Sequence, residues 1–349
     1  MTRRPRRPVF GWDIGGVNTK AARLENGEGA PSVRGVSAPF EIQRDPAGLT
    51  PTLRSLAAAL GRADGGMHGV TMTAELSQAF RTKREGVEFV LDAVAAAFPA
   101  DAVRVYTVEG RFVEPAEARA HPLAAAASNW MATASYVART VPDGILIDIG
   151  TTSTDIIPIS GGRVAARGLT DPARLGSGEL VYTGAVRTPA EALVSEVPLG
   201  LGMAAVSAEW FATIGDAHLW LGQLDPADYT APTADGRPAT RQFAGERLAR
   251  VVCGDREMLD EVAIDQIARA LVEAQIERVA AGVRRVRAAF PYATTAVVTG
   301  LGDFIAAAAA RRAGLDVTRL ADTLGASART APAAAVAWLL ADELEAARE

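Results

Sequence analysis

The chain has 349 residues, of which 49% are hydrophobic, and a formal charge of −5. That length suits two lobes with sizeable cores, and the mild acidity carries no global nucleic-acid signal. A single cysteine, Cys253, excludes an intrachain disulfide, and no apolar run reaches transmembrane length. A cytoplasmic protein is expected, with no nucleic-acid or membrane partner.

Residues 1–8 ("MTRRPRRP") form a basic tail, read as solvated and disordered. "VFGWDIG" runs apolar into Gly15 and Gly16, a strand entering a tight turn. Residues 18–24 and 33–38 continue as hairpin strands, with "ENGEG" as their turn. Helices are expected over 47–61 and 84–98, strands over 69–76 and 103–108, and a longer helix over 116–139 with a break at Pro122.

The pattern then restarts. "GILIDIG" (144–150) is a strand, "TTST" a turn, "DIIPIS" a strand, "GG" a turn and "RVAAR" a strand. Residues 168–256, rich in Gly, Pro and Asp, read as an insertion over a cleft. An amphipathic helix pair is expected over 257–288, a buried strand with a Gly-rich end over 294–304 and a helix over 305–313. "GLDVTRL" is a short strand, and residues 328–347 form a closing helix.

Asp13, Ile14, Gly15 and Thr19 recur at the same spacing as Asp148, Ile149, Gly150 and Thr154. Such a repeat predicts a duplicated, two-lobed α/β fold, with lobes over 9–140 and 141–349 and a ligand in the cleft between two hairpins. Backbone N–H groups in such turns form nests for phosphate oxygens. Gly15 and Gly16 admit close approach, and Asn18, Thr19 and Lys20 add donors. In the second turn Gly150, Thr151, Thr152, Ser153 and Thr154 supply a similar lining. Asp13, Asp148 and Asp155 lie beside these turns, and Mg²⁺ would let acids and phosphate share a site. A single such turn is equally a strand end whose Asp bonds the local backbone. Two copies with matching flanks favour phosphate binding. No Walker-type loop is present, and "LGSGEL" (175–180) reads as a loop.

The duplicated hairpins, with Gly300 and Gly302 in "VVTGLGDF", resemble the actin-like ATPase superfamily, whose lobes are ribonuclease H-like. "ATIGDAHLWLGQLDPADY" (212–229) and "TMTAELSQAFRTKREGV" (71–87) are similar to segments of the hydantoinase/oxoprolinase family. "GWDIGGVNTKAA", "LIDIGTTSTDIIPI", "RLGSGELVYTGAVRTP" and "TADGRPATR" resemble a short branch of that family, the synthases of methanofuran biosynthesis. The resemblance implies a transferase that joins an aminomethylfuran diphosphate to γ-glutamyltyramine through an ether and releases pyrophosphate. Longer family members carry Gly-Gly-Ala-Gly-Pro where this chain has Gly300, Leu301 and Gly302, so ATP is not expected to be required.

Under that reading the turns, with Gly300 and Gly302, hold the diphosphate. Asp148, Asp13 and Glu75 are candidate bases for the phenol, Asp148 first. Asp13, Asp148 and Asp155 are candidate Mg²⁺ ligands. Lys83, Arg84, Tyr182, Arg187, Asp235 and Arg237 are candidate substrate contacts, each with a plainer reading as a solvated face or turn. Trp12 either stacks on the furan or packs in the core. Competing readings are an ATP-dependent kinase or oxoprolinase-type enzyme and a non-catalytic actin-like nucleotide-binding module. Oligomeric state is left open, a homo-oligomer included.

Overall fold

A computed structural model describes residues 7–25, 32–61 and 65–347. The expected basic tail up to residue 6, and most of the "ENGEG" turn, lie outside the described residues. Strand β1 (Val9–Ile14) is buried along its whole length, as suits a central strand that is apolar but for Asp13. It pairs antiparallel with β2 (Asn18–Glu25), which pairs antiparallel with β3 (Ser32–Pro39). Helix α1 (Leu49–Ala59) follows a 3₁₀ turn whose N-cap, Asp45, accepts from the Gly48 N–H. β4 (Met67–Met72) pairs parallel with β1 and leads through a 3₁₀ turn at Ala74–Leu76 to α2 (Lys83–Ala97). The Thr82 hydroxyl caps α2 by accepting from Glu85 N–H.

β5 (Ala102–Tyr106) and β6 (Phe112–Val113) complete a sheet ordered β3-β2-β1-β4-β5-β6. The helix expected over 116–139 is three helices, α3 (Pro115–Ala120), α4 (Pro122–Ala125) and α5 (Asn129–Ala138). Pro122 makes the first break, since it has no N–H to continue the ladder. The second falls at Ala127, which adopts a positive φ of 51°.

The later chain supplies β7 (Gly144–Ile149), β8 (Thr154–Ser160), β9 (Arg163–Val164), α6 (Asp171–Ser177) and β10 (Leu180–Val181). Then come β11 (Glu196–Leu199), β12 (Gly202–Ala205), α7 (Ile214–Trp220), α8 (Arg241–Arg250) and α9 (Glu261–Ala289). β13 (Thr295–Gly300), α10 (Asp303–Arg312), β14 (Asp316–Arg319), α11 (Ala321–Leu324) and α12 (Ala331–Ala346) close the chain. The second sheet runs β10-β8-β7-β13-β14, with β9 on β8, and β11-β12 is a separate hairpin. The central order β2-β1-β4-β5 of the first sheet is matched by β8-β7-β13-β14 of the second.

Backbone contacts divide the chain into two compact units, Met1–Leu146 with Ile157–Arg174 and Thr318–Glu349, and Ile147–Ile156 with Leu175–Val317. The closing helix α12 belongs to the first unit, packing on β1, β2, β4 and α5. A Cβ on Gly11 would lie 2.0 Å from Ala333 O, and one on Gly69 would lie 2.5 Å from Val336 Cγ1. These glycines and the alanine face of α12 bring helix and sheet into direct contact. The helix pair expected over 257–288 is the single 29-residue helix α9. No proline interrupts it, and Asp260 caps its start by accepting from Ala263 N–H. Within 168–256, Leu193, Val197, Ile214, Trp220 and Leu248 pack with Ile264 and Ile267 of α9 in a core of their own.

Candidate functional site: two glycine turns and a buried carboxyl

In the first unit, Gly15 N–H donates to Asn18 O at 3.0 Å, closing the turn between β1 and β2. A Cβ on Gly15 would lie 2.6 Å from Asn18 O, so the turn requires glycine there. Thr73 N–H donates to Ile14 O at 2.9 Å, tying the end of β4 to the same turn. Lys20 Nζ lies 3.2 Å from Asp13 Oδ2. Asp13 Oδ1 and the Thr19 hydroxyl are buried and have no hydrogen-bond partner among the described residues. A buried carboxylate oxygen without a partner is costly, which marks the end of β1 as a place made for a further donor or cation.

The second turn repeats these bonds. Gly150 N–H donates to Ser153 O at 3.0 Å, and Gly302 N–H donates to Ile149 O at 2.9 Å. Residues 183–187 hold this turn in place. The N–H groups of Val186 and Arg187 donate to Thr151 O at 3.1 Å, and Ala185 N–H donates to Gly150 O at 2.9 Å. The Thr154 hydroxyl donates to Thr183 O at 2.7 Å. Gln275 Nε2 donates to Gly184 O at 2.7 Å and to the Thr183 hydroxyl at 3.0 Å, while its Oε1 meets His218 Nε2 at 2.9 Å. Gly300 has φ +92°, and a Cβ there would lie 2.4 Å from Asp148 Oδ1. Gly300 and Gly302 thus act by letting the end of β13 close on Asp148 and Ile149.

Beside the first turn stands Glu75, 2% exposed. Both its carboxyl oxygens are buried and lack a hydrogen bond among the described residues. Lys83 Nζ is 3.5 Å from Glu75 Oε1 and 2.6 Å from Asp171 Oδ2. Burial pushes the Glu75 carboxyl from 4.5 up to about 7, opposed by the Lys83 ammonium and reinforced by the Asp171 charge. For Lys83, burial acts downward, yet the hydrogen bond to Asp171 and the nearness of Glu75 raise its pKa on balance. A Cβ on Gly86 would lie 2.5 Å from Glu75 Cα, so α2 presses directly on the turn that carries the carboxyl. Arg174, 1% exposed, lies over the Trp130 ring at 4.2 Å with Nη1 4.0 Å from Asp171 Oδ1.

Other candidate residues fall elsewhere. Arg84 is exposed, donates to Arg119 O at 3.4 Å and lines a cavity of about 480 Å³ with Arg111, Glu117 and His121. Tyr182 and Arg187 are exposed next to the segment that locks the second turn, and the Arg187 guanidinium has no partner among the described residues. Asp235 and Arg237 serve the protein itself. Asp235 accepts from Arg247 Nη1 at 3.1 Å, and Arg237 Nη1 pairs with Glu246 at 2.5 Å. Arg247 is fully buried and also donates twice to Asp216, at 2.6 and 2.8 Å. Trp12 is a core residue, 0% exposed, donating to His68 Nδ1 at 3.0 Å. Asp155 sits on β8 opposite Leu180. Among the described residues no group of three or more His, Cys, Asp or Glu side chains gathers as a metal cluster, and no helix is long and apolar enough to cross a membrane.

Residues 66–343 match the hydantoinase/oxoprolinase family. The chain belongs to this family. Within it, the chain is 34% identical over 339 residues to the (4-{4-[2-(γ-L-glutamylamino)ethyl]phenoxymethyl}furan-2-yl)methanamine synthase of Methanocaldococcus jannaschii, covering 97% of this chain and 98% of the relative. A protein of the same name from Methanococcus vannielii is 35% identical over 164 residues, 46% of this chain and 72% of the relative. Among solved structures, nucleotide-free acetone carboxylase aligns with a TM-score of 0.59 at 12% identity, over 94% of this chain and 70% of that one. At that identity the likeness bears on the fold alone, and with the duplicated sheets it identifies the hydantoinase/oxoprolinase chain as a two-lobed α/β actin-like fold.

Proposed function

We infer that this hydantoinase/oxoprolinase-family chain is a synthase of methanofuran biosynthesis that forms the aryl–furfuryl ether of (4-{4-[2-(γ-L-glutamylamino)ethyl]phenoxymethyl}furan-2-yl)methanamine. The observation that carries this reading is the 34% identity that spans 97% of the chain and 98% of the relative. The substrates we assign are aminomethylfuran diphosphate and γ-glutamyltyramine. In the reaction the phenol oxygen attacks the furan's methylene carbon. The bond from that carbon to the diphosphate oxygen breaks, and its electron pair leaves with pyrophosphate. The phenolic proton passes to a carboxylate of the protein.

Glu75 is the acid best suited to take it. A phenol's ordinary pKa is about 10, and a carboxyl raised to about 7 is a stronger base than an ordinary carboxylate. Among the described residues its two oxygens accept no hydrogen bond, their nearest cation being Lys83 Nζ at 3.5 Å from Oε1. This places Glu75 ahead of Asp148 and Asp13. The Gly15–Lys20 and Gly150–Thr154 turns are the phosphate-holding elements, their N–H groups and Lys20 neutralising charge as it develops on the leaving group. Asp13 fits a Mg²⁺ ligand because its Oδ1 is buried without a partner, and Mg²⁺ characteristically takes one or two carboxylates plus substrate phosphates. When bound, Mg²⁺ would supply Lewis-acid stabilisation of the departing diphosphate. Arg187, exposed and with a guanidinium that has no partner among the described residues, is suited to a bidentate grip on the acceptor's carboxylate. No step calls for ATP, and the single cysteine fits a cytoplasmic, reducing setting.

The test is to incubate the purified chain with Mg²⁺ and both substrates and follow the ether by mass spectrometry. Accumulation of the ether supports the reading. Its absence, with both substrates recovered intact, overturns it.

A further inference from the structure

Lys83 stands between two carboxyl groups and is shared unequally. Its ammonium is bonded to Asp171 at 2.6 Å and lies 3.5 Å from Glu75, beyond a normal hydrogen bond. Gly86 packs directly against the Glu75 backbone, where a Cβ would lie 2.5 Å from Glu75 Cα, so the main chain that carries the carboxyl is held against α2. Asp171 is fixed in turn. It opens α6, where a negative side chain suits the helix start, and Arg174 of the same helix lies 4.0 Å away, held over the Trp130 ring. The charged groups facing Glu75 are therefore Lys83 from α2 and Asp171 from α6, with Arg174 behind Asp171.

We propose that Asp171 is a positioning residue for ether formation: it holds the Lys83 ammonium off Glu75, leaving the Glu75 carboxylate free to accept the phenolic proton. The proposal rests on the assignment of Glu75 as the base. Without Asp171, the ammonium has one anionic neighbour instead of two. It moves onto Glu75, and that carboxylate becomes a weaker base because its charged form gains a full ion pair and loses a like charge. Removing Lys83 does the opposite, leaving a buried carboxyl with no cation beside it.

The two changes predict shifts of opposite sign in the acid limb of the kcat–pH profile, which a role limited to holding the fold together does not produce. Asp171→Asn should move the limb to lower pH by about one unit and lower the plateau kcat roughly tenfold. Asp171→Glu should restore the limb, and Lys83→Met should move it to higher pH. A ¹³C NMR titration of the Glu75 carboxyl in Asp171→Asn should show the same downward shift, and it reads the effect even if the variant is inactive. An unmoved or raised Glu75 titration in that variant overturns the proposal while leaving the base assignment standing. Wild-type kcat and an unchanged limb in Glu75→Gln would instead overturn the base assignment, and the role of Asp171 with it.

Discussion

Glu75 shows what a residue's surroundings add to its type. It is one of three acids that the motifs bring forward, and nothing in "TMTAEL" ranks it above Asp13 or Asp148. The ranking comes from its burial and its raised pKa, and Gly86, eleven residues on in sequence, lets α2 press against its backbone. Asp171 was not legible as a site residue. It is the first residue of α6, and its carboxylate holds Lys83 from 88 residues away. Asp235 and Arg237 show the converse. Their sequence setting offers substrate contact beside a turn, and in the structure Asp235 pairs with the buried Arg247, which also pairs with Asp216. For Glu75→Gln, which keeps the shape of the side chain and removes the base, we predict a fall in kcat of about 10²–10⁴ with a native melting transition. Steady-state ether formation measures this, and a kcat within a few-fold of wild type would rule Glu75 out as the base.

At the scale of elements, local chemistry read well and long-range closure did not. The two glycine turns were legible because a turn is a local event, and the structure repeats their bonds at equivalent residues, Gly15 N–H to Asn18 O and Gly150 N–H to Ser153 O. The return of α12 to the first sheet depends on Gly11 and Gly69, far from it in sequence, and could not be read from the helix itself. β1 and β4 also carry a titrating group. Trp12 donates to His68 Nδ1, so Nε2 bears the ring proton and donates to Asp101 Oδ2 at 3.2 Å. Burial lowers the His68 imidazole from 6.5 to about 4, opposed by Asp101. The unfolded chain therefore takes up the proton first as pH falls. The neutral ring's contribution is intact above about 6.5 and is lost progressively from there down to about 4. By pH 5 the loss should approach ~2 kcal/mol. Urea unfolding at several pH values, compared with His68→Gln, measures it. That variant offers an acceptor to Trp12 and a donor to Asp101 but does not titrate. Stability curves that run parallel between pH 7 and 5 would contradict the account.

At the scale of the whole molecule, two sheets with one central order each carry one glycine turn, which accounts for Asp-Ile-Gly appearing twice in the chain. Gly300 and Gly302 close on the second of these turns. The central claim is that the chain acts on a small diphosphate ester, with pyrophosphate as the leaving group. Pyrophosphate release measured with Mg²⁺ in three mixtures tests it most directly: ATP alone, aminomethylfuran diphosphate alone, and the diphosphate with γ-glutamyltyramine. The account predicts pyrophosphate only in the third mixture, in one-to-one ratio with ether. Turnover of ATP in the first mixture, with no ether in the third, would contradict it.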